Sequence, residues 1–280
     1  MSKRLVHSVL HPTDFSESSN LAFAQALAIS LVGDTTLTIL HVGPEKERDV
    51  KWSSFPPVRK TLERWGLLAP DSPQTAVQEE LDIRIRKLAV RSRTPVQAIV
   101  SHLNHDPADL IVLGTEARKG SVRLSERSDA EAIARWSKTM TLFVSPRARR
   151  GVVSPADGSG SLTNVLVPVD AAPNCEMALT FATRAAEMLG DPPVNITLLH
   201  VGERFPALPP LAEGEEWVWR KEVQDGEPVE RILSAARQHK ADLIVMATAG
   251  YEGVLDALRG STTERVVRGA DCPVLAVPAQ

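Results

Sequence analysis

Short apolar runs alternate with longer stretches of helical period along this chain. In the second half, runs near 163–169, 195–201, 216–223, 242–247 and 273–277 predict strands, and stretches near 174–190, 227–239 and 261–269 predict helices. Strands that alternate with helices predict a mainly parallel sheet covered on both faces. Two strands depart from the fully buried pattern. Glu216–Val223 sets Trp217 and Trp219 on one face and Val218 and Arg220 on the other, and Leu81–Lys87 alternates in the same way, so each is expected to carry one wetter face. Two tryptophans at period two are expected to pack against a helix or a partner domain rather than to stack on a base.

The pattern repeats. Val9 and Val165, Pro12 and Pro168, Asp14 and Asp170, and Ala22 and Ala178 keep one spacing of 156. LTILHVG, ending at Gly43, matches ITLLHVG, ending at Gly202, at 159. PVQAIVSHLNHDPADLIVLGT from Pro95 matches PVERILSAARQHKADLIVMAT from Pro228 at 133, a register that persists to Val144 and Val277. The drop from 159 to 133 gives the first half 26 extra residues between Gly43 and Pro95. Two homologous domains follow, 1–146 with an insertion at 44–94 and 162–280. RARRGVVSPADGSGS, residues 147–161, reads as an exposed, flexible linker, because Gly, Ser, Pro and charge replace any apolar period. Its GSGS follows no strand and completes no GxGxxG, so it is not a nucleotide loop. The insertion, with KWSSFPPVRK and WGLLAPDSPQ, reads as a proline-broken loop with a short helix.

Composition agrees with two soluble domains: 280 residues, 43% apolar and 24% charged. No run approaches the roughly 18 apolar residues that cross a bilayer, and MSKRLVHSVLHPTDFS has no apolar signal core, so a cytoplasmic location and no membrane partner are expected. Cys175 and Cys272 form no CxxC pair and read as buried thiols. Net charge is −3, but residues 1–150 carry 22 Lys+Arg against 17 Asp+Glu and residues 151–280 carry 10 against 18. With aromatics at 4% and the basic residues dispersed, this asymmetry favours mutual attraction of the halves over nucleic-acid binding.

Candidate chemistry collects where strands end, since open α/β sheets bind ligands beyond their carboxyl edges. Pro168-Val169-Asp170 closes the first strand of the second half, and His200-Val201-Gly202 closes the next. In MATAGYEGVLDALRGSTTERV, Gly250 and Gly253 lie in a loop, and Gly260-Ser261-Thr262-Thr263 opens the last helix. Backbone amides and hydroxyls there can hold phosphate oxygens. Equally, Ser261 or Thr262 can be an N-cap paired with Glu264 in a capping box. His41 and His200 close equivalent strands and are expected to be hydrogen-bonded fold residues. A P-loop, a GxSxG elbow and a Cys–His constellation are all missing, and PTDFSESS and PVDAAPNC stand where adenylating enzymes carry a glycine-rich loop. With only Arg259 and Arg265 near the second loop, no enzymatic role is expected beyond slow incidental ATP hydrolysis.

Together, HPTDFSE at 11–17, LVPVD at 166–170, the paired LHVG segments, ADLIVM at 241–246 and GSTTERVVRGADCPVLAVP at 260–278 resemble a tandem universal stress protein. The resemblance implies an α/β fold of two homologous doubly wound, mainly parallel five-stranded sheet domains of the adenine nucleotide alpha-hydrolase-like type. It implies that they pair through their last strands, Thr141–Ser145 against Val274–Pro278, as an intrachain pseudo-dimer. It further implies a stress-response role and ATP or a related adenine nucleotide as ligand, with any Mg2+ arriving on the phosphates. Pro168, Val169, Asp170 and Val201 would form the base side, and Ala247, Gly250, Gly260, Ser261 and Thr262 would line the ribose and phosphates. The family's loop reads Gly-x-x-Gly, nine residues, then Gly-Ser or Gly-Thr. Here Ala247 replaces the first glycine of the second half, whereas the first half keeps Gly114 but has Ala117 and Arg127-Ser128 for the others, beside Arg118 and Lys119. The expected reading is a nucleotide site in the second domain and a structural or regulatory first domain. The alternative is an interaction scaffold that binds no nucleotide. Protein partners are not named by the sequence, and a homodimer of tandem chains is one expected assembly.

Overall fold

In each repeat an aspartate at the foot of one strand ties down the start of its neighbour. Asp109 Oδ2 accepts hydrogen bonds from the backbone N–H groups of His7 and Ser8 at 2.8 and 3.0 Å. Asp242 Oδ2 accepts from Thr163 N at 2.9 Å, Thr163 Oγ1 at 2.7 Å and Asn164 N at 2.9 Å. The repeat seen in the sequence is therefore repeated as hydrogen bonding. The computed structural model describes residues 6–32, 34–44, 51–115, 129–148, 151–248 and 262–279.

The chain forms two compact units, residues 1–139 with 153–159, and 140–152 with 160–280. The first contains β1 (Ser8–Thr13), α1 (Glu17–Ser30), β2 (Thr35–Gly43), α2 (Val58–Arg64), α3 (Ala76–Leu81), β3 (Ile83–Arg91), α4 (Pro95–His105), β4 (Leu110–Gly114) and α5 (Asp129–Ser137). Its strands lie in the order β3-β2-β1-β4 and all pair in parallel. The second contains β5 (Met140–Val144), β6 (Leu162–Pro168), α6 (Glu176–Leu189), β7 (Gly190–Val201), β8 (Trp217–Gln224), α7 (Pro228–Gln238), β9 (Leu243–Thr248), α8 (Thr262–Gly269) and β10 (Val274–Pro278). Its order is β5-β10-β9-β6-β7-β8.

Each repeat thus supplies five strands, β1–β5 and β6–β10, as expected. The compact units divide the chain differently from the repeats, because β5 lies in the second unit. There it pairs antiparallel with β10, Thr141 opposite Ala276 and Phe143 opposite Val274. This is the last-strand pairing that the resemblance implies. Every other pair in that unit is parallel.

The central strands are buried on both faces and read as β-branched and leucine runs. The edge strands β3 and β8 alternate between buried and exposed positions, which gives them the wetter face foreseen. Both Trp217 Nε1, at 3.3 Å, and Trp219 Nε1, at 2.8 Å, donate to Ala212 O in the strap that connects β7 to β8. No helix is present in residues 203–216, although parallel crossovers usually contain one.

Two further stretches are more ordered than their composition suggests. The insertion folds as a 3-10 turn at Trp52–Ser54 followed by α2 and α3, and buries Phe55, Val58, Leu62, Trp65 and Leu68. A fully buried Leu such as Leu62 contributes about 2 kcal/mol. In the segment read as an exposed linker, Val152 and Val153 are buried. The Gln25 side chain hydrogen-bonds the backbone of Val153 there, which removes the polarity penalty of burying that peptide unit.

Candidate functional site

The strand order reverses at β6, which has β7 on one side and β9 on the other. Such a switch point opens a crevice at the carboxyl edge. Four of the proposed base-side residues meet there. Pro168 ends β6, and Val169 N continues the ladder by donating to Leu199 O at 2.8 Å. Asp170 then leaves the sheet with its side chain 65% exposed, its Oδ1 accepting from Ala171 N at 2.7 Å. Val201, half-buried, closes β7. Ala247, also half-buried, lies near the end of β9, opposite Val277 of β10. Thr262 is exposed and begins α8. Gly250, Gly253, Gly260 and Ser261 lie outside the described residues, as do Ala117, Arg118, Lys119, Arg127 and Ser128 of the first half.

His200 is a fold residue. Its Nδ1 donates to the Val169 carbonyl at 3.1 Å, and the ring is buried. The same bond recurs in the first repeat, where His41 Nδ1 donates to Thr13 O at 2.8 Å. Each histidine therefore ties the ends of two adjacent strands together. Asp170 Oδ1 lies 3.9 Å from His200 Nδ1, beyond hydrogen-bond distance. The sequence did not single out Phe205, whose ring meets His200 edge-on at a centroid distance of 6.2 Å, with Lys221 Nζ 5.4 Å above it. The first repeat carries the same trio in Phe55, His41 and Lys87. The only sequence signal was a phenylalanine somewhere after each LHVG, at unequal distances.

The two repeats differ beneath this edge. In the first, Ser19 Oγ lies 2.8 Å from Thr13 Oγ1 and 3.4 Å from His11 Nε2, while His11 Nδ1 donates to Val112 O at 3.0 Å. Burial lowers the His11 pKa to about 4 and outweighs the bond to Val112 and the Asp14 charge. At the spacing of 156 these three become Val167, Val169 and Cys175, an apolar replacement. Burial raises the Cys175 thiol pKa, and burial with the charges of Asp242 and Asp271 pushes Cys272 up to about 12. Both cysteines are free and buried, as expected.

The glycine that the second half lacks also has a structural explanation. A Cβ on Gly114 would stand 2.6 Å from Ser18 O and 2.9 Å from Ser19 N, in the first turn of α1. At Ala247, the equivalent position, a methyl is present and α6 begins only at Glu176. Asn174, the counterpart of Ser18, lies outside that helix, its Oδ1 accepting from Glu176 N at 2.9 Å. The later helix start accompanies the larger residue, so the glycine answers to helix packing in the first repeat.

Among the described residues there is no group of three or more His, Cys, Asp or Glu side chains able to hold a metal ion, and no helix long and apolar enough to cross a membrane. The carboxyl edge of the sheet carries the exposed Asp170 carboxylate and the half-buried Val201 and Ala247, and the last helix begins at Thr262.

Comparison with known proteins agrees with this architecture. A universal stress protein of Methanocaldococcus jannaschii is 29% identical over 171 residues, 61% of this chain and 78% of its own. A universal stress protein of Thermus aquaticus is 52% identical over 52 residues, 19% of this chain and 38% of its own. The crystal structure of a universal stress protein from Archaeoglobus fulgidus superposes with a TM-score of 0.65 at 19% identity, covering 99% of this chain and 97% of that one. A putative universal stress protein from Pseudomonas aeruginosa gives 0.61 at 17% identity, covering 98% and 93%. The Universal stress protein family matches residues 6–145 and 210–278, and the chain belongs to that family.

Proposed function

We propose that the second unit binds ATP or a related adenine nucleotide at the crevice between β6 and β9, and that the first unit is its structural or regulatory partner in a stress response. The observation that carries this reading is Asp170. Its carboxylate stands at the switch point, 65% exposed, with acceptor capacity beyond the bond from Ala171 N. An adenine amino group or a ribose hydroxyl needs such an acceptor, and Val169 and Val201 offer apolar surface beside it. Ala247 fits this reading because its methyl accompanies a later helix start, not a missing amide. Gly250, Gly260, Ser261 and Thr262 supply the phosphate side of the proposal, and Mg2+ would travel with the phosphates. No catalytic residue is assigned. A cytoplasmic location and a homodimer of tandem chains belong to the same reading.

Calorimetric titration of nucleotide-free protein with Mg-ATP tests it. About one site per chain, lost in Gly260→Arg and weakened at least tenfold in Asp170→Ala with the fold intact, is the expected result. Two sites would extend binding to the first unit. No heat from correctly folded parent protein would replace this reading with the interaction scaffold.

A further inference from the structure

In the stretch between the repeats, residues 153–159 are held down by hydrogen bonds. Gln25, buried in α1, uses both ends of its amide on one residue: Nε2 donates to Val153 O at 2.9 Å, and Oε1 accepts from Val153 N at 3.1 Å. Two residues on, Pro155 O accepts from Trp65 Nε1 at 3.1 Å and from Arg64 at 3.4 Å. Gly158, at φ +73°, lies against the Trp65 ring so closely that a Cβ would stand 2.5 Å from it. The loop closes on itself through Gly158 N to Ser154 O at 2.8 Å and Ser154 N to Ser159 O at 2.9 Å. Arg64 and Trp65 both come from the insertion that the second repeat lacks.

We propose that residues 151–159 form a latch seated on the insertion, and that the latch commits β5 to β10 of its own chain. β5 belongs to the second unit, whereas 153–159 belongs to the first, so the anchored segment follows β5 closely in sequence. A second copy of this chain presents the same Thr141–Phe143 edge in the same register, and exchange of identical elements between copies needs only a connection free to swing. Gln25, Arg64 and Trp65 remove that freedom. The 26 extra residues acquire a role by this account: they build the seat on which the latch closes.

The full chain carrying Gln25→Met and Trp65→Phe tests the proposal, since the first keeps side-chain bulk, the second keeps an aromatic ring, and together they remove the hydrogen bonds of Gln25 and Trp65 to the latch. Amide exchange at Val153 and Gly158 should accelerate at least tenfold while the β1–β4 amides keep their parent protection, which shows that the fold survives. After mixing of two isotopically distinct preparations, cross-links between β5 and β10 that join the two isotope labels should be at least tenfold more abundant than in the parent. Adding Leu142→Pro, which disrupts β5 and leaves the β10–β9 ladder in place, should abolish them. Should the double variant not fold, Gly158→Val opens the latch from its exposed side, by forcing a side chain into Trp65. Free-chain exchange at Val153 in the parent overturns the proposal. So does an opened latch with no gain in cross-links between the two labels, or such cross-links that persist with Leu142→Pro.

Discussion

Gly114 and Ser18 are in contact that leaves no room for a methyl: a Cβ on Gly114 would lie 2.6 Å from the Ser18 carbonyl oxygen. The obstacle is backbone in a helix whose first turn is fixed by Ser16, whose side chain accepts from Ser19 N. Gly114→Ala should therefore cost roughly 1–3 kcal/mol. Ala247→Gly, at the equivalent position, should cost no more than about 1 kcal/mol, from chain entropy. Urea denaturation of the two variants decides between them, and equal midpoints would refute the packing account.

Acid sensitivity should concentrate at His11. Its folded pKa, about 4, lies below the ordinary value of 6.5, so the folded protein holds the ring neutral. As pH falls below 6.5 the unfolded chain takes up a proton that the folded chain refuses, and stability drains away until about pH 4. The loss approaches about 3 kcal/mol at full effect. A triple variant copying the second repeat, His11→Val, Thr13→Val and Ser19→Cys, should show a flatter stability curve between pH 6.5 and 4. An unchanged slope would assign the acid loss to other groups.

The thiols should be silent in the folded state. With Cys272 pushed up to about 12 and Cys175 raised by burial, neither offers thiolate near neutral pH. A disulfide reagent at pH 8 should label neither until urea unfolds the chain, after which both react. Rapid labelling of one cysteine in native protein would show that its unit opens locally.

Asp242 should matter more than its counterpart. It is fully buried and its Oδ2 accepts three bonds at the start of β6, whereas the bonds to Asp109 lie in an exposed setting. Asp242→Ala should cost about 1–3 kcal/mol and Asp109→Ala less, because truncation leaves the part-buried donors of Thr163 and Asn164 unpaired, whereas water reaches those of His7 and Ser8. Thermal denaturation of the pair tests the order.

The duplicated architecture was legible because strand periodicity and the spacings of 156, 159 and 133 are properties of the chain itself. The observed β6, β8, β9, β10, α7 and α8 lie within about two residues of the stretches that predict them, a normal uncertainty at element ends. The strand-end placement of Pro168, Val169, Asp170 and Val201 was legible too, since Pro168 ends β6, Val169 and Asp170 follow it and Val201 ends β7. What escaped was information carried between distant positions. Val152 and Val153 look like part of a polar linker until Gln25, far along the chain, is placed beside them. The meaning of Ala247 depended on where α6 begins, and β7 extends back to Gly190 because its prolines tolerate extended backbone at the start of a strand.

The strap between β7 and β8 gives the second repeat an uneven tolerance of change. In the first repeat the corresponding crossover is secured by five large buried residues along a helix-bearing insertion, so the loss of any one is shared among its neighbours. In the second, two indole N–H groups converge on the single carbonyl of Ala212. Fragility is thereby concentrated near β8: replacing Trp217 and Trp219 together would leave the strap with Phe205 against His200 and Lys221, whereas the longer repeat spreads its hold over several buried residues.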